Sequence, residues 1–281
     1  MKKVSVLICL FFAVITNTAF AQLNTPAPSP FSKVSQVVGL TEVEIAYSRP
    51  AMRGRGIYGD LVPYDKVWRT GANAATKISF SEPMEIEGKQ LEAGEYSIFS
   101  IPGKNEWTII LNKDAKASTA QYDEAKDAAR FTVNTQKSKM DHESFTIMFS
   151  DVKDNSAAIN IAWENTVVQF SITDPDVDEK VMGQIKEQIP NAGNNDNVYF
   201  AAASYYYEND KDLQQAAEWI DKAVEINSEK FWVMHLQAKI HAKLNNNDKA
   251  KQAAEKSKEL AQKAGNADYV KLNDKLLSSI K

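Results

Sequence analysis

The hydrophobic period of this chain changes at Asp174-Pro175, and such a change obliges the two stretches on either side to fold as different classes of domain. Before it, large apolar side chains recur at every second position: Val43, Ile45 and Tyr47, then Phe145, Ile147 and Phe149, then Ile159, Ile161 and Trp163. Alternation sends one face of a strand inward and the other to water. It predicts strands over residues 41–47, 76–81, 84–87, 95–101, 106–112, 130–135, 144–150, 158–163 and 166–173. Tight turns at Glu87-Gly88-Lys89, Ala93-Gly94 and Pro102-Gly103 separate them, so the expected fold is an antiparallel β-sandwich or barrel-like domain. Residues 118–129 read as the one helix of this half.

Beyond Asp174-Pro175 the spacing becomes helical, which makes the whole chain an α+β multidomain protein with an all-α second part. Residues 177–189 read as a bridging helix that stops before Pro190, whose ring forbids continuation. The polar run 191–197 reads as a connector. A shift of 34 residues then takes Phe200 to Met234, Ser204 to Ala238, Tyr207 to His241, Ala216 to Ala250 and Ala223 to Ser257. Small residues recur where helices would cross and bulky ones where they would interlock, which resembles the tetratricopeptide repeat, a helix-turn-helix unit. Ser228 stands where that repeat usually carries proline. Two such units need neighbours to complete their core, so the helix from Val177 and residues 268–280 are expected as caps. The repeat geometry would place Tyr205, Trp232, His235 and Lys239 on a concave side, either to hold a peptide or protein segment or only to pack helices and face water.

Residues 47–73 spell neither strand nor helix inside the strand-rich half. They are too rich in Tyr, Ile, Leu, Val and Trp for disorder, and a connection this long within a compact domain is usually functional. Arg49, Arg53, Arg55 and Arg69 fall within it, in a chain whose net charge is −4. A guanidinium fork pairs with a carboxylate or phosphate in one plane, and tryptophan stacks on a guanidinium or a sugar. One reading is therefore a pocket of Arg49, Arg53, Arg55, Trp68, Arg69 and Asn73 for a small anionic or glycan-like ligand. The other is a clamp in which the arginines tie the loop to backbone carbonyls and Trp68 belongs to the core. Gly54-Arg55-Gly56-Ile57-Tyr58-Gly59 matches a dinucleotide-binding fingerprint only in form, because Pro50 and Pro63 flank it and no helix follows.

The first residues carry an address. Lys2 and Lys3 precede an apolar run over 4–15, and Ala19-Phe20-Ala21 supplies the small residues of a cleavage site, so residues 1–21 read as a signal peptide cut after Ala21 and the protein as periplasmic or secreted. No later stretch is long enough to span a bilayer. Cys9, the single cysteine, departs with the leader, leaving no disulfide and no thiol nucleophile. With 33 basic and 37 acidic residues, and two of the basic ones in the leader, nucleic acid has no electrostatic reason to bind. Domain limits follow: a flexible segment over 22–33, the β domain over 34–174, a bridging helix and linker over 175–196 and the repeats over 197–281.

No catalytic constellation emerges. His142 lies in a polar stretch read as a turn, and His235 and His241 are six apart, a spacing unsuited to sharing zinc on one helix. No Gly-x-Ser-x-Gly or His-Glu-x-x-His is present. No metal or cofactor is expected. Glycan hydrolysis is the enzymatic alternative, with Asp60, Asp65, Glu95 and Glu106 as available carboxylates, two of which would have to face each other across a groove. A purely structural envelope scaffold is the third reading.

The joined motifs Tyr47-Ser48-Arg49-Pro50, Gly54-Arg55, Leu61-Val62-Pro63-Tyr64, Lys66-Val67-Trp68-Arg69-Thr70-Gly71-Ala72-Asn73, Ala93-Gly94-Glu95-Tyr96-Ser97 and Glu106-Trp107-Thr108 resemble the domain-of-unknown-function family numbered twenty-nine eleven, over residues 28–173. The resemblance implies an exported bacterial β-rich domain, sometimes followed by helical repeats. It brings no established activity, cofactor or substrate.

Overall fold

The computed structural model describes residues 25–280; residues 1–21, read as a signal peptide, and Cys9 lie outside the described residues. The chain divides into two compact units between Asp174 and Pro175.

The first unit is a nine-stranded antiparallel sheet. In chain order its strands are β1 (Phe31–Val38), β2 (Thr41–Ser48), β3 (Thr76–Phe80), β4 (Met84–Ile86), β5 (Lys89–Leu91), β6 (Gly94–Pro102), β7 (Glu106–Asn112), β8 (Asp127–Ser150) and β9 (Ser156–Thr173). In space they run β1-β2-β3-β6-β7-β8-β9-β4-β5. Alternation does what physics requires of it: along β2, Thr41, Val43, Ile45 and Tyr47 are buried while Glu42 is exposed. The long β8 governs the architecture. Its first part pairs with β7, Trp107 opposite Val133, and its second part with β9, Ile147 opposite Ile161. The sheet thereby curls round one core that joins Val43 and Ile45 of β2 to Ile147 of β8 and Ile159 and Ile161 of β9.

Several expectations are corrected here. Residues 118–129 form no α-helix: two short 3-10 turns, Thr119–Gln121 and Glu124–Lys126, lead straight into β8. Ser118 Oγ donates to the side chain of Gln121, Asp123 caps Ala125, and the Tyr122 ring packs on buried Phe99 at 5.1 Å, so local caps and tertiary packing override helix propensity. The strands expected at 130–135 and 144–150 are one strand, as are those at 158–163 and 166–173. His142 lies within β8, where the register slips, with Nε2 3.2 Å from Ser138 Oγ. β1 begins at Phe31, inside the expected flexible lead, because pairing with β2 orders it.

One tyrosine fastens the curl. The Tyr47 hydroxyl, buried, donates to the Ile147 carbonyl (3.2 Å) and accepts from the Ile147 amide (3.0 Å), joining β2 to β8 across 100 residues. The carboxylate of Asp174, also buried, accepts from Thr41 Oγ1 at 2.9 Å and from the Leu40 amide at 3.2 Å, tying the end of the unit to its start.

The second unit has six helices: α1 (Val177–Gln188), continued by a 3-10 turn at Ile189–Asn191, α2 (Asp196–Glu208), α3 (Leu213–Ile226), α4 (Phe231–Lys243), α5 (Asn247–Lys263) and α6 (Ala267–Ser279). Side-chain caps start three of them: Asn195 bonds the Asn197 amide, Asp212 those of Gln214 and Gln215, and Asn266 that of Tyr269. Buried alanines, among them Ala203, Ala216, Ala238 and Ala254, let α2 to α5 approach closely. After α3 the chain turns without proline, Asn227 Oδ1 accepting from the Glu229 amide at 3.1 Å.

Replacing Tyr47 by Phe keeps the ring and leaves both main-chain groups of Ile147 buried and unpaired. Tyr47→Phe will cost about 1–3 kcal/mol, read by urea unfolding of the β unit. An unchanged midpoint would show that the hydroxyl does not fasten the curl.

Candidate functional site

The 47–73 connection is built as a strap. Its first arm runs beside β8, the Phe145 amide donating to the Pro50 carbonyl and the Met52 amide to the Glu143 carbonyl, each at 2.8 Å. Its second arm continues the sheet beside β6, where Trp68 and Ser100 exchange amide-carbonyl bonds of 2.7 and 2.9 Å. Between the arms a tight turn returns the Val62 amide to the Ile57 carbonyl at 2.9 Å. Gly59 sits there at φ +92°, where a Cβ would fall 2.6 Å from the Tyr64 ring, so only glycine fits.

The strap drives two aromatics into the core. Trp68 stacks on Trp163 at 6.1 Å, meets Phe145 edge-on at 5.3 Å and donates Nε1–H to the Gly71 carbonyl at 3.0 Å. Tyr58 lies 5.1 Å from Trp107 and 6.4 Å from Trp163. Burial pushes the Tyr58 phenol well above its usual pKa, helped by the charge of Glu164.

The arginines hold main chain. Arg49 donates Nε–H to the Phe145 carbonyl (3.2 Å) and Nη2–H to Thr146 Oγ1 (2.8 Å). Arg55 donates to the carbonyls of Met52 (2.9 Å) and Ala51 (2.7 Å), and Arg53 to that of Pro28 (3.1 Å). Asn73 bonds Ser48 Oγ at 3.2 Å and the Ser29 carbonyl at 3.4 Å. Arg69 has a buried Nε without a hydrogen-bond partner. These residues lie along one strap, where the fork donors of Arg49 and Arg55 bond the protein and Trp68 offers its faces to other rings.

The four carboxylates considered for glycan hydrolysis are exposed, and Glu95 is paired with Lys77 at 2.8 Å. Among the described residues no group of three or more His, Cys, Asp or Glu could hold a metal ion.

A second candidate site lies in the helical unit. No residue of α1 is buried, and Asp178 ties it to the helices beyond, accepting from the Tyr205 hydroxyl and pairing with Lys211, each at 2.7 Å. Lys211, foremost, holds the Asp178 carboxyl below its usual pKa. Beside α1 an open cleft of about 700 Å³ is lined by Met182, Ile185, Ile189, Tyr206 and Trp219, with Asp178, Glu179 and Lys186 at its edge. Tyr206 meets Trp219 edge-on at 4.7 Å, forming an aromatic wall. These lining residues went unnoticed in the sequence, although the apolar spacing of Val181, Ile185 and Ile189 was their signal.

The concave set divides. Tyr205 is turned to Asp178. His235 Nδ1 bonds Asn273 Oδ1 at 2.8 Å, and burial, opposed by that bond, lowers its pKa. Lys239 lies over the Tyr207 ring at 4.5 Å and reaches Glu208 at 3.4 Å. Trp232, 38% exposed, presents indole to solvent. His241 is sealed, its Nε2 2.8 Å from Asp221 Oδ1, which also accepts from Gln237 at 2.8 Å.

Two outcomes follow from these contacts. Trp68→Ala will destabilise the β unit by about 3–5 kcal/mol, whereas exposed Arg55→Ala will cost about 1 kcal/mol, both measured by denaturant unfolding; equal small losses would refute the clamp. Burial draws the Asp221 carboxyl up, but His241, Gln237 and Lys249 outweigh it and hold the pKa at about 2 against an ordinary 3.8. A carboxyl depressed in the folded state contributes stability that is present above the unfolded value and lost as pH falls through the folded one. Helical-unit stability will therefore fall from about pH 4 towards pH 2, and Asp221→Asn will flatten that dependence in stepped-pH unfolding.

No curated protein matches this chain. A family described as protein of unknown function (DUF2911) matches residues 29–172, just over half of the chain, and covers the curled sheet together with its strap. The chain belongs to that family.

Proposed function

We propose that this is an exported interaction protein, periplasmic or secreted, whose tetratricopeptide-like helical unit takes an amphipathic segment of protein. The observation that carries this reading is the open apolar cleft walled by Tyr206 and Trp219, because an aromatic wall beside a loosely seated helix is the chemistry that accepts an apolar helical face. Its rim is mixed in charge, with Glu179 and Lys186 beside an Asp178 already paired with Lys211, so recognition falls to the leucine-like face of the segment. Trp232 and Lys239 of the concave set would extend the contact. Localisation rests on the leader read at residues 1–21. The helix pairs α2/α3 and α4/α5, spaced as the 34-residue shift requires, support the repeat assignment. The β unit serves as a rigid body, and the anionic or glycan-like ligand has no part in this reading.

Titrating the full mature chain with a synthetic amphipathic Leu/Lys helical peptide will perturb Trp219 emission and give saturable binding by calorimetry. Met182→Glu will weaken that binding at least tenfold without moving the melting temperature. Absence of saturable binding by the unsubstituted protein would sink the proposal.

A further inference from the structure

β1 stands at one edge of the sheet and pairs with β2 alone. The Arg49 amide donates to the Pro30 carbonyl at 2.9 Å, one step beyond the pair Phe31–Ser48, so the even-numbered residues of β1 turn their main-chain groups to β2. Phe31, Lys33, Ser35 and Val37 turn theirs the other way. Among the described residues no main chain meets them, and only the Val37 carbonyl is used, accepting from Gln36 Nε2 at 2.9 Å. An exposed edge is ordinarily guarded by proline, a bulge or an outward lysine. β1 has neither proline nor bulge, and its one lysine is drawn back over β2, Lys33 Nζ lying 2.7 Å from Glu44 Oε1. Apolar side chains stand exposed at both ends of the edge instead, Phe31 at 66% and Val37 at 58%.

From this edge we infer that β1 pairs with β1 of a second copy of this chain, antiparallel about a two-fold axis at Val34. That register sets Phe31 opposite Val37 of the second copy, twice over, and Lys33 opposite Ser35. Directly opposed aromatic and β-branched side chains attract across strands, whereas opposed like charges repel. Charge is complementary here, because Ser35 lies opposite Glu44 in the β1–β2 ladder and each Lys33 therefore falls in line with Ser35 and Glu44 of the other copy. Slipping by two residues would bring the two lysines face to face or leave Phe31 opposite Gly39. The contact is isologous, the same edge on both copies, so it closes at two and joins two sheets into one. It is separate from the cleft of the helical unit.

Sedimentation velocity of the full mature chain tests it. Mass will rise with loading concentration to two copies and no further. Ser35→Pro removes an outward amide that takes no part in the β1–β2 ladder, so the melting temperature will hold while association weakens by about tenfold or more. Phe31→Glu and Val37→Lys, both on exposed positions, will each abolish association alone. Mixing these two variants will restore it, since the mixed pair sets carboxylate opposite ammonium and keeps one Phe31–Val37 contact. A chain that stays monomeric up to near-millimolar concentration, one that assembles beyond two copies, or a dimer indifferent to Ser35→Pro and to the charged variants overturns the inference.

Discussion

The β unit depends on the closure made by the 47–73 strap. A sheet that curls round one core leaves an open end, and here a segment without regular structure pairs with β8 on one arm and with β6 on the other. Between those arms Tyr58 and Trp68 enter a cluster with Trp107, Phe145 and Trp163. Irregular backbone so close to a core needs partners for every polar group, since a buried unpaired carbonyl costs as much as a lost hydrogen bond. The arginines meet that need. Arg49, Arg53 and Arg55 reach five acceptors between them, four of them backbone carbonyls. The same property that makes a guanidinium a good anion ligand, several donors in a rigid fork, makes it a good tie for a loop.

The helical unit follows an opposite logic. Its core is made of alanines and a few large aliphatics, each pair of helices covering the next, and stability of this kind propagates from neighbour to neighbour without closing. Among the described residues, α1 buries none of its own and leaves the Tyr206–Trp219 wall accessible, while α6 packs on α5 and reaches α4. Polar contacts such as His241 with Asp221 and His235 with Asn273 lock the interior.

Much of the fold was legible in residue order. Alternation along Thr41 to Tyr47 and Ile159 to Trp163 placed strands correctly because period-two burial is a local property. The boundary at Asp174 was legible for the same reason, as was the helix stopped near Pro190. The alanine-bearing run at 118–129 misled because helix propensity is a weak prior, overruled once Tyr122 found Phe99 and the chain joined β8. β1 was missed since Phe31 to Val38 alternates around small and polar residues, and only pairing with β2 orders it.

The candidate site shows where reading must stop. Residue order established that arginines, a tryptophan and an asparagine share one stretch, and that a sheet is followed by helices. Whether those guanidinium donors point to solvent or to carbonyls is a question of direction, set by β6 and β8 lying on either side of the strap, contacts separated by up to 97 residues. Likewise, the apolar stripe of α1 announced only that something must cover it. The tertiary structure alone decided that its neighbours stop short and leave a cleft, because the distance between two packed helices depends on side chains from both.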